Sequence, residues 1–301
     1  MSQKSYFEKV ALYLVPTPIG NLDDITIRAL EVLKKVDVIF SEDTRTTKIL
    51  LNHYNIINKT ISYHKYNEKN SSENILKYLE NGSSVAVVSD RGAPLISDPG
   101  EICVRKAIEK NFAVISLPGP NAILPAITSS GFSCDKFVFF GFLDSKISKK
   151  RNELIEIERN EYTTVIYESP HRIIETLNLI NEIFKERQIC LAREISKKHE
   201  EIYRGTAKEI LNEENITKGE IVIVISGEKK SNNYENLSII EHVNLYLKEG
   251  KEKNEAIKLV AKDRKVTKNL IYSEYLKKGK WYYEINSRLG KSGNKIWKHK
   301  T

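Results

Sequence analysis

The sequence predicts an α/β protein with two α/β domains and a small helical domain. Over the first 130 residues, apolar runs of strand length alternate with amphipathic helical patterns, which is typical of a mostly parallel, doubly wound sheet. Between residues 137 and 226 the strand-like runs lie closer together, which favours antiparallel pairing and a mixed sheet. The remainder shows only helical patterns. We therefore place the domains at residues 1–130, 131–228 and 235–301.

The first domain begins with a strand and an amphipathic helix. Val10–Pro16 is an apolar run of strand length, and the apolar residues of Ile25–Lys35 recur at helical spacing. Eight further elements follow in alternation: strand Val36–Phe40, helix Thr46–Tyr54, strand Thr60–His64, helix Glu73–Glu80, strand Ser84–Val88, helix Ile102–Lys110, strand Ala113–Leu117 and helix Asn121–Ser130.

The second domain is predicted to hold five strands. They are rich in the β-branched and aromatic residues that strands favour, as in FVFFGF and EIVIVIS. The strands are Phe137–Phe142, Thr163–Tyr167, Gln188–Ala192, Glu201–Gly205 and Glu220–Ser226, with helices at Ile147–Glu158 and Ile173–Phe184 and a short helix before the last strand.

Three helices are predicted in the tail, at Ile239–Lys248, Asn254–Asp263 and Thr267–Lys277. The short turn before Thr267, which stands at an N-cap position, is compatible with a helix-turn-helix module that contacts nucleic acid. A small dimerisation or capping element would show the same pattern.

The charge is concentrated in this tail. Residues 229–301 contain 18 Lys and Arg against 8 Asp and Glu, a net charge of +10, whereas the preceding residues carry −2. A basic tail on a near-neutral body favours an anionic macromolecular partner. A lysine-rich proteome would give the same bias.

Composition narrows the class of protein. A hydrophobic content of 40% with 29% charged residues is typical of a soluble globular protein. Pro16 and Pro18 break the apolar stretch near the N-terminus, which is too short for a signal sequence or a membrane span, so we expect a cytoplasmic protein. Three scattered cysteines without ligand spacing predict neither a disulfide framework nor a bound metal.

Four turn-rich loops each follow a predicted strand of the first sheet. They are Pro16–Leu22, Ser41–Thr47, Ser89–Gly100 and Pro118–Asn121. Loops after parallel strands meet at one edge of the sheet, so together they predict a ligand cleft. The GxxxxGK[ST] and GxGxxG phosphate motifs are absent. Backbone donors in Pro/Gly turns, with few charges beyond Asp90 and Asp98, suit a zwitterionic ligand that carries a nucleoside.

Seven segments occur in order between Leu12 and Gly227: VPTPIGNLDDITIRALEVL, EDTRTTKILL, SDRGAPLISDPG, LPGPNAI, YESPHRI, AREISKKHEE and KGEIVIVI. In order and spacing they resemble the ribosomal RNA methyltransferases of the tetrapyrrole-methylase-like class. The resemblance implies that S-adenosylmethionine lies folded in a cleft between two α/β domains. It also implies 2'-O-methylation of cytidine 1402 in the decoding region of 16S rRNA, within the 30S subunit, and a homodimer.

The same resemblance implies a set of cofactor-binding residues that spans both domains. It comprises Pro18, Ser89, Asp90, Gly92, Ser97, Pro118, Gly119, Tyr167 and Ala192. The chain departs from the family pattern in two places, with Arg91 where alanine is usual and Ala93 where threonine is common. We expect the Arg91 side chain to point outward, toward RNA phosphate.

Methyl transfer to a ribose hydroxyl benefits from a nearby base or cation. Candidate catalytic residues beside the predicted loops and strand ends are Glu42, Asp43, Arg45, Glu168 and Glu194. Each of the four carboxylates has a structural alternative. Glu42 and Asp43 could cap the following helix, Glu168 could cap the helix after Pro170, and Glu194 could form an ion pair.

The candidate RNA contacts are basic residues on two helices. They are Lys149, Lys150 and Arg151 in the second domain and Lys268 and Lys277 in the tail, although a solvated helix face would look the same. Two other functions stay open. One is methylation of a small tetrapyrrole, and the other is RNA binding without catalysis, with Arg91 spoiling the cofactor loop.

Overall fold

The computed structural model describes Gln3 and residues 10–227, 237–248 and 250–276. The chain forms two compact units, Met1–Glu228 and Lys229–Thr301. The first unit contains two β-sheets and the helices that cover them. The domain boundaries at residues 130, 228 and 235 remain predictions.

The first sheet has five parallel strands in the order β3-β2-β4-β1-β5. The strands are β1 Ala11–Leu14, β2 Val38–Ser41, β3 Thr60–Ser62, β4 Val85–Val88 and β5 Ala113–Ser116. The helices that follow them are α1 Ile27–Lys35, α2 Thr44–His53, α3 Glu68–Glu80, α4 Glu101–Glu109 and α5 Ile123–Ser130. The predicted parallel α/β fold is confirmed.

This sheet is buried on both faces. Ile39 of β2 belongs to a cluster with Leu33 of α1, whereas the next residue, Phe40, belongs to a cluster with Leu79 of α3. Successive side chains of a strand point to opposite faces, so helices on both sides are required to cover such apolar strands.

Several element boundaries differ from the predicted ones, and two of them show why. Helix α3 begins at Glu68 instead of Glu73, and its first turns bury Ser71 and Ser72 where an apolar pattern would mark a helix. Strand β2 begins at Val38 because Val36 caps the end of α1. In both cases hydrogen bonding sets the boundary, which hydrophobic periodicity does not report.

The second sheet is mixed, as predicted, and has the order β6-β7-β10-β8-β9. Its strands are β6 Phe137–Phe142, β7 Thr163–Glu168, β8 Gln188–Arg193, β9 Glu201–Thr206 and β10 Ile221–Ile225. Only β6 and β7 are parallel. The helices between them are α6 Ile147–Glu158, α7 Ile173–Phe184 and α8 Ala207–Ile210.

Helix α5 links the two sheets. It follows the last strand of the first sheet, yet its buried residues Ala126 and Ile127 form a cluster with Val165 of β7 and Val224 of β10. The other face of the second sheet is covered by α6, α7 and α8. Helix α5, which follows the first sheet in the chain, therefore packs against the second sheet and connects the two.

The second unit contains α9 Ile239–Lys248, α10 Lys253–Asp263 and α11, residues 268–276. Its core includes Val243, Ile257 and Ile271, one residue from each helix. The three tail helices are thus present as far as residue 276. None of the helices within the described ranges is both long and apolar enough to cross a membrane.

Candidate active site

A cleft of about 370 Å³ lies between the two sheets of the first unit. One wall comes from the loops after β1 and β4 and from the start of α5. It comprises Ile19, Arg91, Gly92, Ala93, Ile96, Ser97, Asp98, Asn121 and Ala122. The other wall comes from β6, β7, β10 and the loop after β8, and comprises Phe142, Tyr167, Glu168, Ser169, Pro170, Ile195, Glu220, Ile221 and Val222.

Hydrogen bonds join the loops after β1 and β4 into one wall. Thr17 and Gly92 exchange two backbone hydrogen bonds of 2.9 Å. The Thr17 hydroxyl donates to the Ser89 carbonyl at 3.0 Å, and the Ser89 hydroxyl donates to the Gly92 carbonyl at 3.0 Å. The wall is therefore preorganised by main-chain and hydroxyl groups.

The loop after β4 has an unusual backbone. Leu95 and Ser97 both adopt positive φ, at 72° and 67°, which is uncommon for residues with a side chain. Gly100 has φ at 143°, a backbone conformation that residues with a side chain rarely adopt, so glycine is favoured there. Such a backbone persists only where surrounding contacts hold it, and it is common at functional sites.

The loops after β2 and β5 contact the loops that form this wall. The Asp43 amide donates to Asp90 Oδ1 at 2.9 Å, and a Cβ on Gly119 would lie 2.8 Å from Pro16 Cβ. All four turn-rich loops thus lie at one sheet edge, as the sequence predicts.

Aromatic rings form the opposite wall. The Tyr167 ring meets Phe139 and Phe142 edge-on, with centroids 4.9 and 5.4 Å away. Burial and the negative charge of Asp98 raise the pKa of Tyr167 to about 12, so its phenol is neutral at physiological pH.

Three carboxyl groups lie in the cleft walls, and two of them are bound by cations. Glu168 is fully buried. Its carboxylate accepts hydrogen bonds from Arg172 Nη2 at 2.7 Å and from the Thr176 hydroxyl at 2.5 Å, and Lys150 Nζ lies 3.7 Å away. These groups fix the Glu168 side chain within the protein.

Glu220 forms an ion pair with Arg91 across the rim of the cleft. Lys197 Nζ donates to Glu220 Oε2 at 2.9 Å and to Glu194 Oε1 at 2.6 Å, and the Glu220 amide donates to Glu194 Oε1 at 2.9 Å. Glu194 thus positions the start of β10 from outside the cleft wall. Arg91 contacts Glu220, whereas we expected it to point toward RNA.

Asp98 is the third carboxyl group, and its neighbours have the same charge. Burial, followed by the charges of Glu42 and Asp90, raises the pKa of Asp98 to about 6. The pKa of Glu42 is raised in turn by burial and by Asp90. Within the described residues, no three histidine, cysteine, aspartate or glutamate side chains are grouped so that they could hold a metal ion.

A family model described as Tetrapyrrole (Corrin/Porphyrin) Methylases matches residues 11–211. The chain belongs to this family. Ribosomal RNA small subunit methyltransferase I of Bacillus subtilis is 43% identical to this methylase over 88% of the chain and 93% of that protein. The protein of the same name from Halalkalibacterium halodurans is 42% identical over 91% of the chain and 98% of its own length. The resemblance carried by the seven segments is confirmed.

Solved structures share the fold of this methylase. A conserved hypothetical protein from Aeropyrum pernix K1 has a TM-score of 0.58 at 17% identity, covering 81% of this chain and 91% of that one. A diphthine synthase has a TM-score of 0.56 at 13% identity, covering 72% and 90%. At these identities the likeness concerns the fold alone.

The cofactor-binding residues predicted for the methylase fall into two groups. Gly92, Ser97 and Tyr167 lie in the cleft walls. The other six residues are not among the wall residues. Ser89 and Asp90 form hydrogen bonds that hold the loop after β4, and Gly119 lies close to the loop after β1. Ala192 belongs to a buried cluster of the second sheet, and Pro18 and Pro118 lie in the loops after β1 and β5.

Of the predicted catalytic residues, only Glu168 lies in a wall of the cleft. Asp43 caps α2 and accepts hydrogen bonds from Arg45, which lower the pKa of Asp43 to about 2. The Arg45 side chain is 88% exposed. These contacts agree with the capping alternative for Asp43, and the catalytic roles remain predictions.

The prediction that Lys150 contacts RNA is wrong, because its side chain is fully buried. Its ammonium group donates to Glu175 Oε1 at 2.7 Å and to the Thr176 hydroxyl at 3.1 Å. Lys149 and Arg151 are on the surface, paired with Asp144 and Glu182. Lys268 is exposed on α11, and Lys277 lies outside the described residues.

Sequence reasoning missed several wall residues. Phe142, Ile96 and Ile195 line the cleft, but none of them is among the predicted site residues. Asp98 carried a usable signal, since a carboxyl group in a Pro/Gly loop after a buried strand is well placed to meet a ligand.

Proposed function

We propose that this protein is an S-adenosylmethionine-dependent methyltransferase that methylates the ribose 2'-hydroxyl of cytidine 1402 in 16S rRNA. The observation that carries the proposal is a preorganised cleft in a chain 43% identical to Ribosomal RNA small subunit methyltransferase I over 88% of its length. We also propose that the enzyme acts on the 30S subunit, in the cytoplasm, as a homodimer.

The cleft suits S-adenosylmethionine in size, polarity and charge. Ligand sites of this kind are typically 300–1,000 Å³ in volume, mostly apolar, with a few placed polar groups. Ile19, Phe142 and Val222 give apolar contact, and the carboxyl groups of Asp98 and Glu220 complement a cationic ligand. When bound, S-adenosylmethionine supplies a methyl group on a positively charged sulfur that leaves as a neutral thioether.

Lysines of the second unit support an RNA substrate. Lys258, Lys262, Lys265 and Lys268 are exposed along α10, the following turn and the start of α11. Exposed lysines bind phosphate groups whatever the base sequence, and such contacts release counterions from the RNA. The contribution of this unit to RNA affinity should therefore fall steeply as the salt concentration rises. Placing it on rRNA accounts for the strong positive charge of residues 229–301.

Transfer of a tritiated methyl group tests the proposal. Purified enzyme is offered 30S subunits, free 16S rRNA and a porphyrin or corrin precursor, and the product is mapped by its resistance to alkaline cleavage at the methylated ribose. We expect transfer to 30S subunits at cytidine 1402. Transfer only to the tetrapyrrole would support the alternative substrate. Absence of both transfer and donor binding would support a non-catalytic RNA-binding protein.

Replacing Arg91 by alanine is expected to leave the dissociation constant of S-adenosylmethionine unchanged or lower. Arg91 and Glu220 are each about half exposed at the cleft rim, and such pairs contribute about 0–1 kcal/mol. The neighbouring wall is held instead by the backbone bonds between Thr17 and Gly92. Isothermal titration calorimetry measures the constant, with Arg105→Ala on the exposed face of α4 as control. A loss above about tenfold would show that the guanidinium itself binds the donor.

A further inference from the structure

We infer that Asp98 is the catalytic base that takes the proton from the acceptor hydroxyl. The inference rests on the proposed function and assigns a role that the sequence pattern left to other residues. Asp98 lies in the cleft wall, on the loop after β4, in a segment whose shape the surrounding contacts fix.

The first argument concerns the availability of the three carboxyl groups in the cleft. Glu168 is held by Arg172 and Thr176, and Glu220 is held by Arg91 and Lys197. The carboxylate oxygens of both residues are thus already engaged by cationic or hydroxyl donors of the protein. The groups that act on the Asp98 carboxyl are the carboxyls of Glu42 and Asp90 and a hydrogen bond with Ser89. Asp98 is therefore the carboxyl group available for proton transfer.

The second argument concerns position. Asp98 belongs to the first wall, and Tyr167, whose phenol feels the charge of Asp98, belongs to the opposite wall. A reactant seated between the walls lies beside both groups. Glu42, by contrast, is outside the set of wall residues and acts on Asp98 through its charge.

The third argument concerns basicity. A base works best when its pKa lies near the working pH but below it. Burial and the like charges of Glu42 and Asp90 raise the pKa of Asp98 to about 6, so the group is ionised at pH 7.5 and more basic than an ordinary aspartate. The buried phenol of Tyr167 stays protonated and cannot compete for the proton.

The step balances as a single displacement. The proton of the 2'-hydroxyl moves to the Asp98 carboxylate while the hydroxyl oxygen forms a bond to the methyl carbon. The carbon–sulfur bond breaks, and its electron pair remains on sulfur. Asp98 later returns the proton to water, and no further reactant is needed.

The test uses the full-length enzyme, 30S subunits and saturating donor. We expect Asp98→Asn to lower the single-turnover rate by about 10²–10⁴-fold. Wild-type enzyme should lose activity as pH falls through about 6. In Asp98→Asn this acidic limb should be absent, and in Glu42→Gln it should move to lower pH because a like charge is gone. Asp135→Asn, at an exposed position, is the matched control.

Two readouts do not depend on turnover. Calorimetry should show that Asp98→Asn still binds the donor, with a loss of affinity of at most about tenfold, because the isosteric change removes one complementary charge but keeps the shape of the wall. Carboxyl-carbon NMR of the ligand-free enzyme should show Asp98 titrating near pH 6.

Three results would overturn the inference. They are a rate for Asp98→Asn within about threefold of wild type, an acidic limb that persists in Asp98→Asn, and a limb that vanishes in Glu42→Gln alone. If wild-type enzyme methylates neither 30S subunits nor free rRNA, the proposed function fails instead. The NMR titration then still reports whether Asp98 has the basicity inferred for it.

Discussion

Replacing Lys150 by methionine is expected to lower the free energy of unfolding by about 3 kcal/mol. The ammonium group is fully buried beside Glu168, Glu175 and Thr176, and removal of one partner from a buried ionic cluster typically costs about 3–5 kcal/mol. We expect the lower end of this range because Glu168 keeps its ion pair with Arg172 when Lys150 is replaced. Methionine keeps the apolar stem, so the loss reports mainly on the charge. Urea unfolding followed by circular dichroism measures it.

The neighbouring lysine provides the matched control. Lys149 has 62% of its side chain exposed and pairs with Asp144 at 3.3 Å, so Lys149→Met should change stability by at most about 1 kcal/mol. Equal effects of the two substitutions would mean that the buried cluster contributes little. The same pair separates folding from RNA binding, because only Lys149 is exposed enough to contact phosphate.

Replacing Gly219 by alanine should cost about 3 kcal/mol of stability and weaken donor binding by about tenfold. With φ at 78°, any side chain is strained by about 1–2 kcal/mol, and the new Cβ would overlap the Glu194 carboxylate. Displacing that carboxylate breaks the hydrogen bonds that it accepts from the Glu220 amide and from Lys197. Leaving such a group without a partner typically costs about 1–3 kcal/mol. Glu220 lines the cleft, so its displacement should reach the donor.

A second glycine isolates the backbone contribution. Gly82 has nearly the same φ, 81°, but a Cβ there meets nothing within 4 Å. Gly82→Ala should therefore cost about 1 kcal/mol and leave donor affinity unchanged. If the two alanine variants proved equally stable, the contact between Gly219 and Glu194 would not matter for folding. Thermal unfolding and calorimetry on both variants decide the point.

Alternation of apolar runs and helical patterns was sufficient to predict the strands and the parallel sheet. Strand Phe137–Phe142 and helix Ile173–Phe184 have the predicted ends. The start of α3 was missed because its buried residues Ser71 and Ser72 are polar, so no apolar periodicity marks this part of the helix. Hydrophobic patterning is thus informative where burial is apolar and silent where polar residues are buried.

Local sequence patterns predicted one side of the cleft, whereas Tyr167 on the facing wall was predicted from the family resemblance. Loops after parallel strands share an edge by geometry, so the loop Ser89–Gly100 could be placed beside a ligand. The family resemblance singled out Gly92 and Ser97 within it. The facing wall depends on how α5 sets the second sheet against the first, which no local pattern encodes. Lys150 shows the same limit, since a basic run looks solvated until its buried carboxylate partners are known.

The middle strand of the second sheet is the last of its five strands in the chain. Strand β10, Ile221–Ile225, lies between β7 and β8 in the sheet, so these two strands are not joined until β10 has left the ribosome. Until then, α5 also lacks part of the apolar surface against which it packs. Apolar surface of this kind is prone to aggregate while it waits for its partner. A nascent chain stopped before residue 221 therefore has every strand of the first sheet but lacks the strand that joins β7 to β8 in the second wall of the cleft. We expect methyl donor to bind only after nearly the whole first unit has been synthesised.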